Sequence, residues 1–432
     1  MSEDFKLRSK DYWRRLGWGL LVGLLSAIGA FIFLALVNFG QSLLLPDRSD
    51  LTTFSGSWVI VVIMTVAGFL VGLIHQFTSA SELDVFDAVR EGHMDPKPVP
   101  ASLLASLVSL IGGFALGPEV PSGMLAAGLS SRIAIWRKMD ATSTRTTVIS
   151  GVSAAYAGLF SSPFVMLTML LESAHVQTAA YYGALMIFGL AAAVGFGVFY
   201  ALGGDTYSSL LGLLSPPAYD LKVWHLGAGI VLGILAVPIA LIFPVMTKIL
   251  SRLVAPLNSR PIIRGTLGGV LLGLLGVALP VTIGLGTNEM VFAYDHASEI
   301  GVAMLVLFAL AKILALSGAL SFGFIGGPIF PLLFVGATLG SALNLAFPQL
   351  PLGLTVGCLL VAVPAAIVPI PLALGVLGIV IIGLSPTNAV PVVLAGLIAH
   401  ATLQGSGLIG RGEKKAAAEK EGQQAEAPEH GG

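Results

Sequence analysis

The longest stretch of the chain without a charged residue runs from Ile313 to Gly410 and contains 98 residues. Since about 20 apolar residues cross a bilayer as a helix, this stretch alone is long enough for several passes. Only 10% of the 432 residues are charged, and the mean hydropathy is +0.92. A soluble domain has about 25% charged residues. We therefore expect an all-α polytopic membrane protein, since a backbone in lipid must pair its polar groups internally.

Several other classes of protein are disfavoured by the same composition. The formal net charge of −1 gives no indication of nucleic-acid binding, and the single cysteine, Cys358, excludes an intramolecular disulfide. The motifs H-E-x-x-H and G-x-S-x-G are absent from the sequence, as are clustered acidic metal ligands. We therefore expect a transport protein and not an intramembrane enzyme, with no cofactor and no metal.

Both ends of the chain are polar. Residues 1–16 mix both signs of charge, and the apolar run that follows is too long for a signal peptide. We expect a short interfacial helix with Tyr12, Trp13 and Trp18 at the level of the lipid headgroups. Five basic residues favour a cytoplasmic N-terminus in an inner (plasma) membrane. Residues 411–432 are predicted to form a polar tail, also cytoplasmic.

Two short segments share the frame G-P-x-x-P. They are "GPEVP" at 117–121 and "GPIFP" at 327–331, at an offset of 210. A second matching pair of prolines, Pro163 and Pro371, follows at an offset of 208. Apolar segments broken by Gly and Pro at corresponding positions of two halves are typical of inverted-repeat transporters. The alternative is that these prolines only kink helices.

The matched segments predict how the chain is organised. We expect a first membrane repeat over 17–202, a polar linker over 203–222, and a second repeat over 223–410. The second repeat is predicted to have the opposite orientation in the membrane, because repeats of this kind are related by an axis in the membrane plane.

Each G-P-x-x-P segment predicts a helix start. Proline is favoured at the first helical position, and a preceding glycine permits the tight entry. A helix start has free N–H donors and a partial positive charge, so two of them aimed at one point would bind an anion without Lys or Arg. The predicted structural residues are Gly117, Pro118, Pro121, Gly327, Pro328 and Pro331. The predicted anion donors are the amides of Glu119, Val120, Ile329 and Phe330.

Glu119 is the only charged residue in this part of the sequence. The 21 residues before it and the twelve after it contain no charged side chain. An ionisable residue inside a membrane is by default a functional candidate. Its carboxylate can occupy the anion site when the site is empty and leave it when protonated, so we predict that Glu119 is a gate. The alternative is an ordinary acid that favours the helix dipole.

These motifs resemble those of the CLC family of chloride channels and proton-coupled anion antiporters. "GPEVP" is similar to the family's G-[RK]-E-G-P, and "GPIFP" to its G-x-F-x-P. "AGLFSSPFVMLTMLLES" at 157–173 is similar to "AAAFNAPLAGxxFxxEE", and "IGLGTNEM" at 283–290 corresponds to the family's second-half "SGGG" region. The resemblance is to a divergent bacterial-type member without CBS domains. It implies a CLC-type inverted repeat of tilted and broken helices, in a homodimer with one pore per subunit.

The resemblance also implies a function. A member of this family moves a small chloride-like anion, either as a channel or in exchange for protons, and the sequence leaves both modes and the identity of the anion open. The alternative within the same broad class is an unrelated inverted-repeat secondary transporter for another anion or a small organic acid.

The first family motif, G-S-G-I-P, is poorly matched. At its expected place stands "SASELDVFDAV" at 79–89, in which only a serine agrees. Ser79 or Ser81 would supply the hydroxyl facing the inner mouth of the pore, and Ser81 is preferred. The alternative is a serine that caps the start of a helix before Glu82.

Two other departures concern the anion donors. Pro118 and Pro328 each lack an N–H, so each removes one donor from the site, and we expect weaker halide binding than with the full set. No tyrosine follows Tyr294 in the sequence, so the family's pore tyrosine near its last helix is absent.

The proton path of the family contains a Glu-Glu pair, which here is Glu172-Ser173. The alignment from Pro163 places Ser173 at the inner coupling position, with Glu172 one residue away. Either residue is a candidate for the proton path, and the alternative is that Glu172 is an acid at a helix end. His175 lies nearby and could titrate near neutral pH.

Overall fold

The computed structural model describes residues 9–46, 51, 57–81, 83–173, 180–203 and 210–406, with the side chains of 173 and 180–182 excepted. This part of the chain is helical, and its one extended pairing is an isolated bridge. The helices of the first half are α1 (Lys10–Leu44), α2 (Val59–Phe77), α3 (Val85–Glu91), α4 (Val99–Ile111), α5 (Glu119–Trp136), α6 (Ala141–Leu159), α7 (Pro163–Ser173) and α8 (Ala180–Gly203).

The helices of the second half follow in a similar order. They are α9 (Val223–Val254), α10 (Pro261–Ala278), α11 (Thr287–Asp295), α12 (Ala297–Ile300), α13 (Val302–Phe322), α14 (Ile329–Ala346), α15 (Leu352–Ile367), α16 (Pro371–Ile382) and α17 (Pro386–Ser406). Within the described residues, eight helices are long and apolar enough to cross a membrane, and four apolar helices are shorter. The prediction of an all-α, multi-pass membrane protein is confirmed.

The helices of the two halves pack in parallel patterns. In the first half α1 contacts α4, α6 and α8, and in the second half α9 contacts α13, α15 and α17. Likewise α5 packs on α6 and α14 on α15, while α6 packs on α8 and α15 on α17. The halves meet where α2 packs on α10 and where α7 packs on α16. This correspondence supports two repeats, and their superposition in opposite orientations stays a prediction.

The contact between α2 and α10 is a close backbone approach. A Cβ on Gly68 would collide with the carbonyl oxygen of Gly265, and a Cβ on Gly265 would collide with that of Gly68. Small residues let membrane helices approach until backbone atoms touch, which is how packing holds helices together where lipid offers no hydrophobic driving force.

The N-terminal segment and the predicted linker differ from what the sequence led us to expect. Residues 10–16 are the beginning of α1 and not a separate interfacial helix, because no proline interrupts the helix before Leu44. Tyr12 is buried, whereas Trp13 is exposed. In the predicted linker, Gly212 and Leu214 donate backbone hydrogen bonds to carbonyl groups in α16. Residues 1–8, 204–209 and the predicted tail lie outside the described residues.

Candidate functional site

The starts of α5 and α14 meet inside the molecule. Gly117 and Gly327 form an antiparallel bridge, in which each amide donates to the carbonyl of the other at 2.7 and 2.8 Å. Pro118 and Pro328 follow as the N-cap residues, so each helix begins one residue after the proline that was predicted to be its first residue. Their backbone is already helical, so the difference is one of register at a helix end. The bridge brings the free amides of two helix starts to one place.

Glu119 links these two helix starts through its side chain. The amide of Ile329 donates to Glu119 Oε1 at 2.7 Å, across 210 residues of sequence. The amides of Phe330 and of Glu119 itself also interact with this carboxylate. Glu119 is 2% exposed. A charge-assisted bond to a helix N-terminus is the usual way to stabilise a buried carboxylate without a cation.

The second carboxylate oxygen of Glu119 is not bonded in this way. Glu119 Oε2 is buried and has no hydrogen-bond partner among the residues that the structure describes. Both glycines of the bridge enclose the carboxylate so tightly that a Cβ on either would collide with it. The site therefore holds one carboxylate oxygen firmly and leaves the other unpaired, which is costly in a dry interior.

The matched frame is longer than G-P-x-x-P. Gly113 and Gly323 both have left-handed φ angles, of 85° and 92°. Phe114 and Phe324 stack on each other, with ring centroids 3.6 Å apart. The frame is thus G-F-x-x-G-P-x-x-P at a constant offset of 210, in "GFALGPEVP" and "GFIGGPIFP". The Gly-Phe pairs were visible in the sequence and escaped the sequence analysis.

The predicted donors lie in these first turns. The structure brings together Glu119, Ile329 and Phe330, and the ring of Phe330 also stacks near Phe160 at 6.1 Å. Pro121 and Pro331 are buried in the first turns of their helices. Val120 follows Glu119 in the same first turn and is partly buried. The anion-binding role of all four predicted amides stays a prediction.

The structure contradicts one of the two interpretations of Ser79 and Ser81, in which a serine caps the helix that follows. The helix after them, α3, is capped by Asp84, whose Oδ1 accepts from the amides of Phe86 and Asp87 at 2.7 and 3.3 Å. A serine cap is therefore wrong, because the carboxylate directly before the helix already accepts its first free amides. Ser79 and Ser81 are exposed, and the Ser81 amide donates to Ser102 Oγ.

Glu172 lies at the end of α7 and binds the start of α16. The amide of Leu372 donates to Oε1 at 2.6 Å, and that of Ala373 donates to Oε2 at 2.9 Å. The carboxylate therefore caps a helix of the other half. The side chain of Ser173 and all of His175 lie outside the described residues, so the proton path stays a prediction.

The sequence analysis missed Lys312, although it is the last charged residue before the long uncharged stretch. Lys312 is fully buried, and its Nζ donates to the carbonyls of Val281 and Gly284 at 3.2 and 2.9 Å. Nζ also lies 5.3 Å from the ring centroid of Phe334 in α14. A buried cation thus lies behind α14, where it donates to backbone carbonyl groups.

The fold and the site together define a multi-pass transport protein with paired helix starts and an inserted carboxylate. Residues 63–404 match the family described as "Voltage gated chloride channel", and the chain belongs to this family. A protein of Escherichia coli (strain SMS-3-5 / SECEC), named "Putative ion-transport protein YfeO", is 27% identical over 356 residues, which cover 79% of this chain and 82% of that protein.

Solved structures share the fold. A slow cyanobacterial Cl⁻/H⁺ antiporter matches with a TM-score of 0.77 and 21% identity, over 91% of this chain and 95% of that one. A CLC-type fluoride/proton antiporter matches with a TM-score of 0.73 and 21% identity, over 91% and 97%. The predicted family and its class of function, CLC-type anion transport, are confirmed, and the alternative of an unrelated inverted-repeat transporter is not favoured.

Proposed function

We propose that this protein exchanges a small inorganic, chloride-like anion for protons through a pore gated by Glu119. The carboxylate of Glu119 on the Ile329 amide carries the proposal, because it holds a negative charge where a helix start would bind an anion. The exchange of an anion for protons is supported by two proteins of the same fold, which are a Cl⁻/H⁺ and a fluoride/proton antiporter.

The mechanism follows from competition for one set of donors. The ionised carboxylate and an anion both need the amides of Ile329 and Phe330, so they exclude each other. Glu119 Oε2 has no partner among the described residues, so a proton can bind it without first breaking the bond from Ile329 to Oε1. A neutral carboxyl group is a weaker acceptor for a helix start, and an anion then displaces it.

The remaining predicted residues have supporting roles in this proposal. The amides of Glu119 and Val120 complete the donor set, and the Gly-Pro segments hold both helix starts in place. Ser81 lines the inner mouth, with Ser79 as the alternative. The absence of a fixed cation among the direct donors suits transport, since binding must be weak enough for release. A proton reaches Glu119 from the side of Glu172 or Ser173.

We also propose the setting of this activity. The protein is a homodimer in the inner (plasma) membrane, with lipid around it and both termini in the cytoplasm, and it acts as a transporter without enzymatic activity. Residues 17–202 and 223–410 are the two repeats, joined by 203–222. The mirrored packing of α1 and α9 supports this division. Cross-linking in native membranes tests the dimer, and accessibility of introduced cysteines tests the termini.

The purified protein in proteoliposomes tests the transport function. Reversal potentials are measured under crossed gradients of pH and of chloride, fluoride or nitrate. An exchanger gives a reversal potential that depends on both gradients, whereas a channel depends on the anion gradient alone. Absence of flux for all three anions would contradict the proposed function.

A further inference from the structure

His400 lies in the last third of α17, where this helix packs against the junction between α15 and α16. A Cβ on Gly396, one helical turn before His400, would lie 3.6 Å from the carbonyl oxygen of Pro371, the first residue of α16. The same Cβ would lie 3.7 Å from the Cβ of Ala365, in the last turn of α15. Residues four apart share one face of a helix, so His400 faces the same junction.

One ring nitrogen of His400 has a fixed role. Nδ1 lies 3.0 Å from the carbonyl oxygen of Ala365. A carbonyl oxygen only accepts, so Nδ1 carries the hydrogen of this bond. The carbonyl group lacks its usual helical partner, because the residue four positions later is Pro369, which has no N–H. The bond from His400 therefore satisfies a buried carbonyl group at the C-terminal end of α15.

The other ring nitrogen, Nε2, is available as a base. With a hydrogen on Nδ1, the neutral ring has its lone pair on Nε2. Nε2 has no hydrogen-bond partner among the residues that the structure describes, and the side chain is only partly buried. His75 differs, since both of its ring nitrogens lie against carbonyl oxygens, those of Ala80 and Gly323. A ring bonded in that way has no free lone pair and is not suited to taking up a proton.

The charged surroundings of His400 consist of one carboxylate. The sequences of α7, α15, α16 and α17 contain no Asp, Glu, Lys or Arg other than Glu172, and Cys358 is their only other titratable residue besides His400. The helix α9 also packs on α17, and its basic residues lie near its two ends. Glu172 interacts electrostatically with His400. A positive charge on the ring would thus face a carboxylate and the C-terminal end of a helix, both of which attract a cation.

Glu172 itself is poorly suited to carrying a proton. The amides of Leu372 and Ala373 donate to its two oxygens, so protonation would weaken a charge-assisted bond at the start of α16. In contrast, Nε2 of His400 accepts a proton without breaking any bond. The charge of a histidine ordinarily changes between about pH 5 and 8, so such a ring can both bind and release protons in the cell.

We propose that His400 is the proton-transfer residue at the cytoplasmic end of the pore, where Nε2 takes up the exchanged proton and passes it towards Glu119. This inference rests on the proposed function and names a residue of its proton path. The helix α17 ends at Ser406, soon after His400, and the proposed cytoplasmic C-terminus places this end of the helix on the cytoplasmic side.

The transfer has two steps. First, the lone pair of Nε2 takes a proton from cytoplasmic water, which gives the imidazolium ion. The imidazolium ion then gives a proton from Nε2 to water on the side of Glu119, and the ring returns to the neutral form with its hydrogen on Nδ1. The bond from Nδ1 to Ala365 is kept throughout, so the ring stays in place during both steps.

The test is His400→Asn, which removes Nε2 and keeps an N–H donor close to the position of Nδ1. Anion and proton movements are measured together in proteoliposomes, with whichever of chloride, fluoride and nitrate the wild type moves fastest. Proton movement should fall about 100-fold, because a positioned acid–base group accelerates proton transfer by about this factor or more. Anion flux should be kept, and the reversal potential should follow the anion gradient alone.

His296→Asn is the matched control. His296 also has Nδ1 against a carbonyl oxygen, that of Phe292 at 3.1 Å, but it is exposed and lies directly after α11, so both movements should stay unchanged. Added imidazole should restore proton movement in His400→Asn, since a free base replaces the missing one, whereas a purely structural defect would not respond. If His400→Asn does not fold, His400→Gln removes the same base.

The outcomes separate this proposal from the proposed function. A wild type without anion flux contradicts the proposed function and this inference with it. A wild type that moves the anion without protons overturns proton exchange and the role of His400, and leaves anion transport intact. A wild type that exchanges, together with a His400→Asn variant of unchanged coupling, overturns the role of His400 only. Loss of both movements in a folded His400→Asn variant also overturns it, because His400 would then be needed for the pore itself.

Discussion

Two carboxylates of the first half each cap a helix of the second half. Glu119 accepts from Ile329 at the start of α14, and Glu172 accepts from Leu372 and Ala373 at the start of α16. In both cases a proline stands at or directly before the helix start. The two contacts thus use the same chemistry, a carboxylate on the free amides of a helix.

The difference lies in how completely each carboxylate is bonded. Both oxygens of Glu172 accept a backbone amide, and its side chain is half-buried. Glu119 is almost fully buried, yet its Oε2 has no partner within the described part of the chain. A carboxylate with both oxygens bonded is suited to clamping two halves together. One with an unpaired oxygen is easier to protonate and release, which is the property that a gate requires.

The largest effect is expected from removing the carboxylate that is incompletely bonded. Glu119→Ala and Glu119→Gln should abolish the pH dependence of anion flux and any proton coupling, because the competing charge is gone and the α14 amides are free. Flux assays in proteoliposomes between pH 5 and 8 measure this effect. Glu299→Gln is the matched control, since Glu299 is exposed. If a folded Glu119→Ala variant keeps the flux and the pH response of the wild type, Glu119 is an ordinary acid at a helix start and not a gate.

A smaller effect is expected from displacing the same carboxylate without removing it. In Gly327→Ala the new Cβ collides with the Glu119 carboxylate, so flux at high pH should rise several-fold while proton coupling weakens. Gly227→Ala is the control, because a Cβ there meets nothing within 4 Å. If Gly327→Ala keeps the wild-type flux and coupling, the carboxylate is not held as the structure indicates.

The smallest effect on transport is expected at the fully bonded carboxylate. Glu172→Gln keeps the shape but replaces one acceptor oxygen with an NH₂ group, so it should cost about 1–2 kcal/mol of stability, a modest value because the side chain is half-exposed. Thermal unfolding of the purified protein measures the loss, and Thr168→Val on the same helix is a control. The reversal potential should stay unchanged. If coupled proton movement is lost while anion flux remains, Glu172 is the inner carboxylate of the proton path.

The contrast between these sites also shows what the sequence could reveal. The helix starts at Glu119 and Ile329 were predictable, because Gly-Pro chemistry is local and its repetition at one offset is visible. The bonding of Glu119 to Ile329 was not, since it depends on two segments 210 residues apart meeting in space. The same applies to Glu172 and α16.

Other misses have a simple physical origin. The alternative of a serine cap was wrong because the carboxylate of Asp84, directly before α3, accepts from the first free amides of that helix. Lys312 was overlooked because it is a single charged residue in an apolar segment, which a pattern search does not detect. Such a residue is itself a signal, since a polar group in a membrane interior needs a partner.

The central claim is that Glu119 and the anion compete for the same helix amides. Its most direct test is chloride binding by calorimetry as a function of pH, in the wild type and in Glu119→Gln. The account predicts that wild-type affinity increases as the pH falls, because protonation removes the competing charge. Glu119→Gln should bind chloride at least as tightly as the wild type at low pH, and independently of pH. Equal affinities with the same pH dependence in both proteins would contradict the account.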